Sequence, residues 1–386
     1  MRPASLTRQL IAATAAIGLT LSSAFPAAAA SPQTTSGWSV SQTFGPADGV
    51  WGDTFAADSP SDAWTTWVAC GPCSGNPTEL SYLDHWNGSA WSPVTVPAGL
   101  AKYAQNPLSI GASSASNAWL FDPHDVLRWN GTTWSLRSIP DWVVHSNLSG
   151  ETDIQTAVFS PDSVWVFSLG TDSITSPAHY AAEYNGKTWS KVTLPGVPDE
   201  VSVVTADDIW VLGVTPSSVT SNNPDYILMH WNGTSWSSTA LPTVTPPKNT
   251  IEDPGGLAGT GASDAWVPWS VTRGTAGAVT TYLLHWDGTS WARVKLGLPI
   301  SEVSDLTQDG HGGLWLDDNG PAPDYTWYLD HLSGGKWTRD TVPVASGDSL
   351  LELSGVTSVP GSSSVWAQGD MTSGSNIYGA ILRYNP

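Results

Sequence analysis

The pair of residues with the most suggestive spacing is Cys70 and Cys73, in ACGPCSG. A Cys-x-x-Cys pair performs dithiol exchange when a helix N-terminus lowers the pKa of a thiol. The stretch that follows, SGNPTEL, offers Gly, Pro and Asn and no helical periodicity. The two sulfurs are therefore expected to form a disulfide that stiffens a loop, the simplest use of two cysteines in an exported chain. Ser349, in Gly-Asp-Ser-Leu at 347–350, would need a late Asp-x-x-His and an α/β sandwich to act as a nucleophile, and the sequence has neither. Of the eight histidines, His85, His230, His285 and His331 recur in one repeated slot and read as structural. His124, His145, His179 and His311 do not recur, which leaves a metal site open. Linear zinc, calcium and phosphate signatures are missing, and no cofactor is expected.

Tryptophan is the more informative residue. There are 23, and eighteen stand at repeated positions. The remaining five are Trp51, Trp67, Trp142, Trp269 and Trp327. An exposed indole beside a carboxylate stacks on a sugar ring and holds its hydroxyls, and Asp53, Asp122, His124, Asp317 and Asp318 fall in the same segments. The competing reading of each is an aromatic that pins down a long loop.

Two alternating signals define the elements that position these residues. One is a Trp preceded by small or acidic residues, at Trp64, Trp119, Trp165, Trp210, Trp266, Trp315 and Trp366, spaced 45 to 56 residues apart. The other is the hairpin HWNGSAW (85–91), RWNGTTW (128–134), EYNGKTW (183–189), HWNGTSW (230–236), HWDGTSW (285–291) and the degenerate HLSGGKW (331–337). Asn-Gly between two apolar runs predicts a type I′ turn, with positive φ at both central residues. Each unit resolves into four short strands, the first rich in Ser, Thr, Gly and Ala, as suits strands crowded around an axis. The prediction is an all-β fold: a seven-bladed β-propeller of four-stranded antiparallel blades. The chain stops at RYNP with a third strand and no fourth, while SGWSVSQTF near the start is a fourth strand with no third. Residues 37–44 should therefore complete the last blade and close the ring. Turns from first to second and third to fourth strand are short and share one face. The variable connections share the other, where recognition is expected.

Arg2 and Arg8 precede an apolar run from Leu10 to Leu21 that ends in AAAAS. This predicts a signal peptide over 1–30 and one secreted, extracellular domain over 31–386. No later stretch has the roughly 20 apolar residues of a membrane span. The chain has 14 Lys and Arg against 34 Asp and Glu, a formal charge of −20, which becomes −22 once Arg2 and Arg8 leave with the leader. Such a surface disfavours nucleic acid and anionic polysaccharides and leaves neutral saccharides, cell-surface glycans or another protein as partners.

The W-N-G-x-x-W-S hairpin resembles that of bacterial seven-bladed propeller lectins, which bind sugars between blades. It is also similar to the Asp-box turn of sialidase-type propellers, which has one more residue between its acid and Gly. The lectin resemblance implies a binding protein, lectin-like toward neutral glycans, with no catalytic activity of its own. A glycan-cleaving hydrolase or lyase built from carboxylates at the channel mouth, or a protein-binding scaffold, is the alternative. For Cys70 and Cys73 the expected outcome is that the purified protein does not accelerate insulin reduction by dithiothreitol. Catalysis lost in the Cys70→Ser, Cys73→Ser double variant would show a redox site.

Overall fold

A computed structural model describes residues 37–385 except 48, 72–77, 101–107, 123–124, 145–152, 170–178, 220, 222–223, 243–249, 274–278, 299, 301, 321–325, 345–347 and 375. The leader, Cys73 and the side chain of Cys70 lie outside the described residues, as does His124. Seven antiparallel sheets follow one another along the chain, and the described residues contain no helix. None is therefore long and apolar enough to cross a membrane. Blade 4 shows the unit: Val197–Thr205, Asp208–Val214, Tyr226–Trp231 and Trp236–Ala240, paired in that order. In blade 5 the innermost strand is broken into Thr250–Pro254 and Ala258–Gly261, both paired to Asp264–Arg273.

Blade 7 is closed by the N-terminal strand, as the split hairpin predicts. Trp38–Ala47 pairs antiparallel with Asn376–Tyr384, and Trp38 stands opposite Tyr384. The missing turn is bridged by a hydrogen bond from Asn385 N to Gly37 O of 3.1 Å, the counterpart of Asn87 N to Ala90 O in blade 1.

Tryptophans of the repeat lock each blade to the next. The second-strand indole of one blade meets the outer-strand indole of the following blade edge to face: Trp64 with Trp134, Trp366 with Trp91, and Trp315 with Trp38, at 5.1 to 5.9 Å. Trp38, Trp64 and Trp366 have no exposed surface. The opposite side of the second-strand Trp is covered by its cross-strand neighbour. His85, His230, His285 and His331 stack on Trp64, Trp210, Trp266 and Trp315 at 3.8 to 4.2 Å. Each imidazole is held by a carboxylate from the turn: Asp62, Asp208 at 2.7 Å, Asp264 at 3.0 Å and Asp309 at 3.0 Å. In blades 2 and 7 the same place is taken by Arg128 and Arg383, which lie over Trp119 and Trp366. The four histidines are thus structural.

The hairpins differ from the expected two-residue turn. Trp231 pairs directly with Trp236, so the loop has four residues, and Asn232 Oδ1 accepts from Thr234 N and Ser235 N at 3.0 and 2.9 Å. The Asn side chain supplies the turn bonds that a type I′ backbone would make, and Gly233 takes the positive φ of 82°. The tight form occurs only where Asn is missing: in blade 6, Ser333 pairs with Lys336 across Gly334 and Gly335, both at positive φ.

Deleting residues 31–45 removes the clasp and should lower the melting temperature sharply. Trp38→Ala alone should cost about 3–5 kcal/mol, as expected for a fully buried Trp. Both are read from thermal and urea unfolding, and an unchanged curve for the deletion would place ring closure elsewhere.

Candidate functional site

The residues expected at the variable rim are mostly committed to the fold. Trp67 has no exposed surface and stacks on Phe44 of the clasp strand at 4.6 Å. Trp269 is buried and meets Tyr226 of blade 4 edge to face at 5.5 Å. Both rings stand within their strands, Asp62–Gly71 and Asp264–Arg273, and are covered at a blade interface by the neighbouring sheet. Trp142 and Trp327 are half-buried. Lys191 lies over Trp142, and Trp327 donates to Leu351 O at 3.1 Å. Trp51 and Asp53 stand on the strand Gly49–Ser59, but their side chains lie outside the described residues.

The three described carboxylates of that set do backbone or ion-pair work. Asp122 Oδ1 accepts from Asp125 N at 2.8 Å and closes a tight connection. Asp317 is fully buried and accepts from Asp305 N at 2.6 Å, capping a bulge in the innermost strand of blade 6. Asp318, also fully buried, meets Arg339, which in addition holds Asp330 through Nε at 2.9 Å and Nη2 at 2.7 Å. One guanidinium faces two buried carboxylates there.

A concave feature among the described residues is the channel between the innermost strands. It contains a cavity of about 510 Å³, within the size range of small-ligand sites. Its polar wall includes Ser109, Thr156, Ser202, Thr307, Thr357 and Ser358, the amides of Gln155 and Gln308, and the acids Asp58, Glu200 and Asp305, and among the described residues no Lys, Arg or His lines it. Asp58, Ser202, Thr307, Gln308, Thr357 and Ser358 lie in the half of their strands that runs into the turn to the second strand, while Ser109 opens its strand and Gln155, Thr156, Glu200 and Asp305 stand near the middle of theirs. The cavity therefore sits toward the short-turn face, whereas the sequence pointed to the variable one.

Side chains of one blade cap inner-strand amides of the next along this wall. Val201 N donates to Gln155 Oε1 at 2.6 Å, Gly259 N to Ser202 Oγ at 2.9 Å, Val356 N to Asp305 Oδ2 at 3.1 Å and Ser358 N to Thr307 Oγ1 at 3.1 Å. Backbone donors at a free edge are thereby satisfied. Sequence reasoning missed Asp58, Gln155, Gln308 and Asp305. Aligning the inner strands on the following Trp would have exposed them as large polar residues among small ones.

No family model matches the chain, and no curated protein does. Among solved structures it is similar to the β-propeller domain of the Trilobed protease from Pyrococcus furiosus, with a TM-score of 0.51 at 7% identity, over 87% of this chain and 93% of that one. It is also similar to a protein of unknown function from Dyadobacter fermentans (TM-score 0.44, 12% identity, 91% and 100% covered). A further likeness is to the fucose-specific lectin from Aleuria aurantia (TM-score 0.42, 9% identity, 75% and 94% covered). The first likeness concerns the fold alone.

A propeller does not dictate how many carboxylates are buried in it, and this chain buries several. Burial pushes Asp84 and Asp305 up to about 6. Burial and then Asp62 push Asp58 up to about 8. Burial, followed by the hydrogen bond and charge of Asp330, raises Asp318 to about 9 against the opposing Arg339. Burial and the charge of Asp305 hold Asp317 well above the carboxylate range. A raised folded pKa means that the native state binds protons the unfolded chain has released. Its stabilisation is complete below the unfolded value near 3.8 and is lost as pH rises through the folded value. The melting temperature should therefore fall steadily from pH 5 to pH 9, and Asp84→Asn should flatten the lower part of that slope. A melting temperature that is level or rising over this interval would contradict the assignment.

Proposed function

We propose that the chain is a secreted binding protein without catalytic activity of its own, and that it recognises neutral glycans. The observation that supports this most is the channel cavity. A wall of hydroxyl and amide groups among apolar side chains, with acids and no bases, suits a polyhydroxylated ligand and repels an anionic one. Asp305, which would be the natural candidate for acid–base chemistry there, is held by Val356 N and Leu306 N, so its carboxylate serves the backbone. Among the described side chains, the half-buried Trp142 and Trp327 are the aromatic candidates left to a ligand on the variable face, beside Trp51, whose side chain lies outside the described residues.

A glycan array followed by calorimetry tests the reading. Neutral saccharides should bind, and Gln308→Trp, which fills the cavity, should weaken binding at least ten-fold while the melting temperature stays within a few degrees. Binding that survives Gln308→Trp but is lost in Trp142→Ala or Trp327→Ala would move the site to the variable face. Absence of binding to every neutral saccharide would remove the proposal.

A further inference from the structure

Five of the innermost strands end in the same irregularity, one extra residue just before the turn to the second strand. The register slips between Ala57 and Ser59, Ala112 and Ser114, Val158 and Ser160, Val203 and Thr205, and Gly259 and Gly261. The residues on either side of the slip repeat from blade to blade. The one before is Ala, Val or Gly. The one after carries a hydroxyl in blades 1 to 4 that serves the turn: Ser59, Ser114, Ser160 and Thr205 each accept from the backbone N–H two residues on, at 3.2 to 3.3 Å. The bulge residue itself does not repeat. It is Asp58, Ser113, Phe159, Val204 and Thr260 in turn, and the first four line the channel cavity. A bulge re-aims its side chain and commonly does so beside a functional site. The flanking residues meet the needs of the fold, so the choice at the bulge is left to whatever occupies the channel.

Phe159 is the bulge residue that the architecture explains least. The other aromatic on the described cavity wall, Phe55, is engaged at a blade interface by Trp91 and Trp366 at 6.1 and 5.7 Å. Phe159 meets no other ring among the described residues. It is half-buried, resting on the apolar cluster of Ala157, Trp165 and Ile209 between blades 3 and 4 and lining the cavity at the same time. The equivalent place in blade 4 is filled by the smaller Val204, so packing alone does not call for an aromatic.

Ring geometry settles what stands opposite. The innermost strands touch one another in chain order, and that of blade 7 touches that of blade 1. In a ring of seven, blades 6 and 7 therefore face blade 3 across the channel, and they bring Gln308, Thr357 and Ser358 to the cavity. The Gln308 amide makes no hydrogen bond to a described residue, which leaves both its donors and its acceptor to a ligand. Polar groups beside Phe159 are already engaged: Gln155 Oε1 accepts from Val201 N at 2.6 Å, and its Nε2 donates to Glu200 Oε2 at 3.3 Å. An apolar ring thus faces an open amide.

We propose that Phe159 is the platform on which a pyranose ring stacks in the channel, with Gln308 meeting its hydroxyls from the far wall, and that the ring recognised is the terminal unit of its chain. A pyranose carries C–H groups on its faces and hydroxyls around its edge, and its C–H groups suit the negative face of an aromatic. The restriction to a terminal unit follows from closure. An open groove admits a glycan lengthwise, whereas a ring of strands sealed by the clasp admits it end first. This proposal rests on the glycan reading above and adds the residue and the part of the glycan that it selects.

NMR and calorimetry with the methyl pyranosides of glucose, galactose and mannose test it. For the sugar that binds best, saturation transferred from the protein should reach the C–H protons of one ring face most strongly, and those protons should shift upfield, as they do over an aromatic ring. Phe159→Val, which installs the residue of blade 4, should weaken binding about five-fold or more while the melting temperature stays within a few degrees, and Phe159→Tyr should keep the affinity within about two-fold. An oligosaccharide with the same sugar at its non-reducing end should bind, and one that holds it only internally should not. Binding without an upfield shift, unchanged affinity in Phe159→Val, or equal binding of the terminal and internal forms would overturn the platform and leave the glycan reading standing. Absence of binding by these pyranosides and by every neutral glycan would remove both.

Discussion

Everything in this molecule depends on how one blade is fastened to the next. A four-stranded sheet of this size cannot bury both faces by itself, so second-strand indoles such as Trp64, Trp315 and Trp366 are clamped between their own sheet's cross-strand neighbour and the outer-strand indole of the following blade. The clamp has polar jaws: imidazole backed by carboxylate in blades 1, 4, 5 and 6, guanidinium in blades 2 and 7. Because this clamp reaches forward to the next blade, the seventh blade must find an eighth partner or return to the first. Trp366 returns to Trp91, and Trp38 from the chain's beginning meets Trp315.

That regularity explains what was readable in the residues. Tryptophan recurs because the same gap recurs, and a repeat of some 50 residues makes a periodic signal independent of any single contact. The clasp was readable for the same reason, since half a hairpin at each end is conspicuous against six whole ones. The stacking partners His85, His230, His285 and His331 could be recognised as structural from their shared slot, without knowledge of the carboxylate behind each.

The site was much less readable, and the reasons are physical. Trp67 and Trp269 break the repeat pattern, which suggested a ligand. Their burial is set by Phe44 and Tyr226 lying across the gap between blades, which is not local in sequence. Asp317 looks like a rim acid until its partner, the amide of Asp305 on the adjacent strand, is known. The channel wall was hidden because it is assembled from one short stretch of each of seven blades. Even the hairpin hid its mechanism: Asn232 and its equivalents act through the side-chain oxygen, so the loop is four residues long where the dipeptide alone implies two.

The bond between Asn385 and Gly37 closes a turn whose two halves belong to opposite ends of the chain. The ring consequently has no privileged first blade. Its seam lies in a hairpin of the same four-residue kind as that of blade 4, and a circularly permuted gene that joined Asn385 to Gly37 and opened the hairpin at Asn232–Gly233 would encode the same set of clamps. The seam also fixes an address. Gly37 and Asn385 stand on the short-turn face, at the outer edge of blade 7 and across its sheet from the innermost strand Asp348–Ser358 that faces the channel.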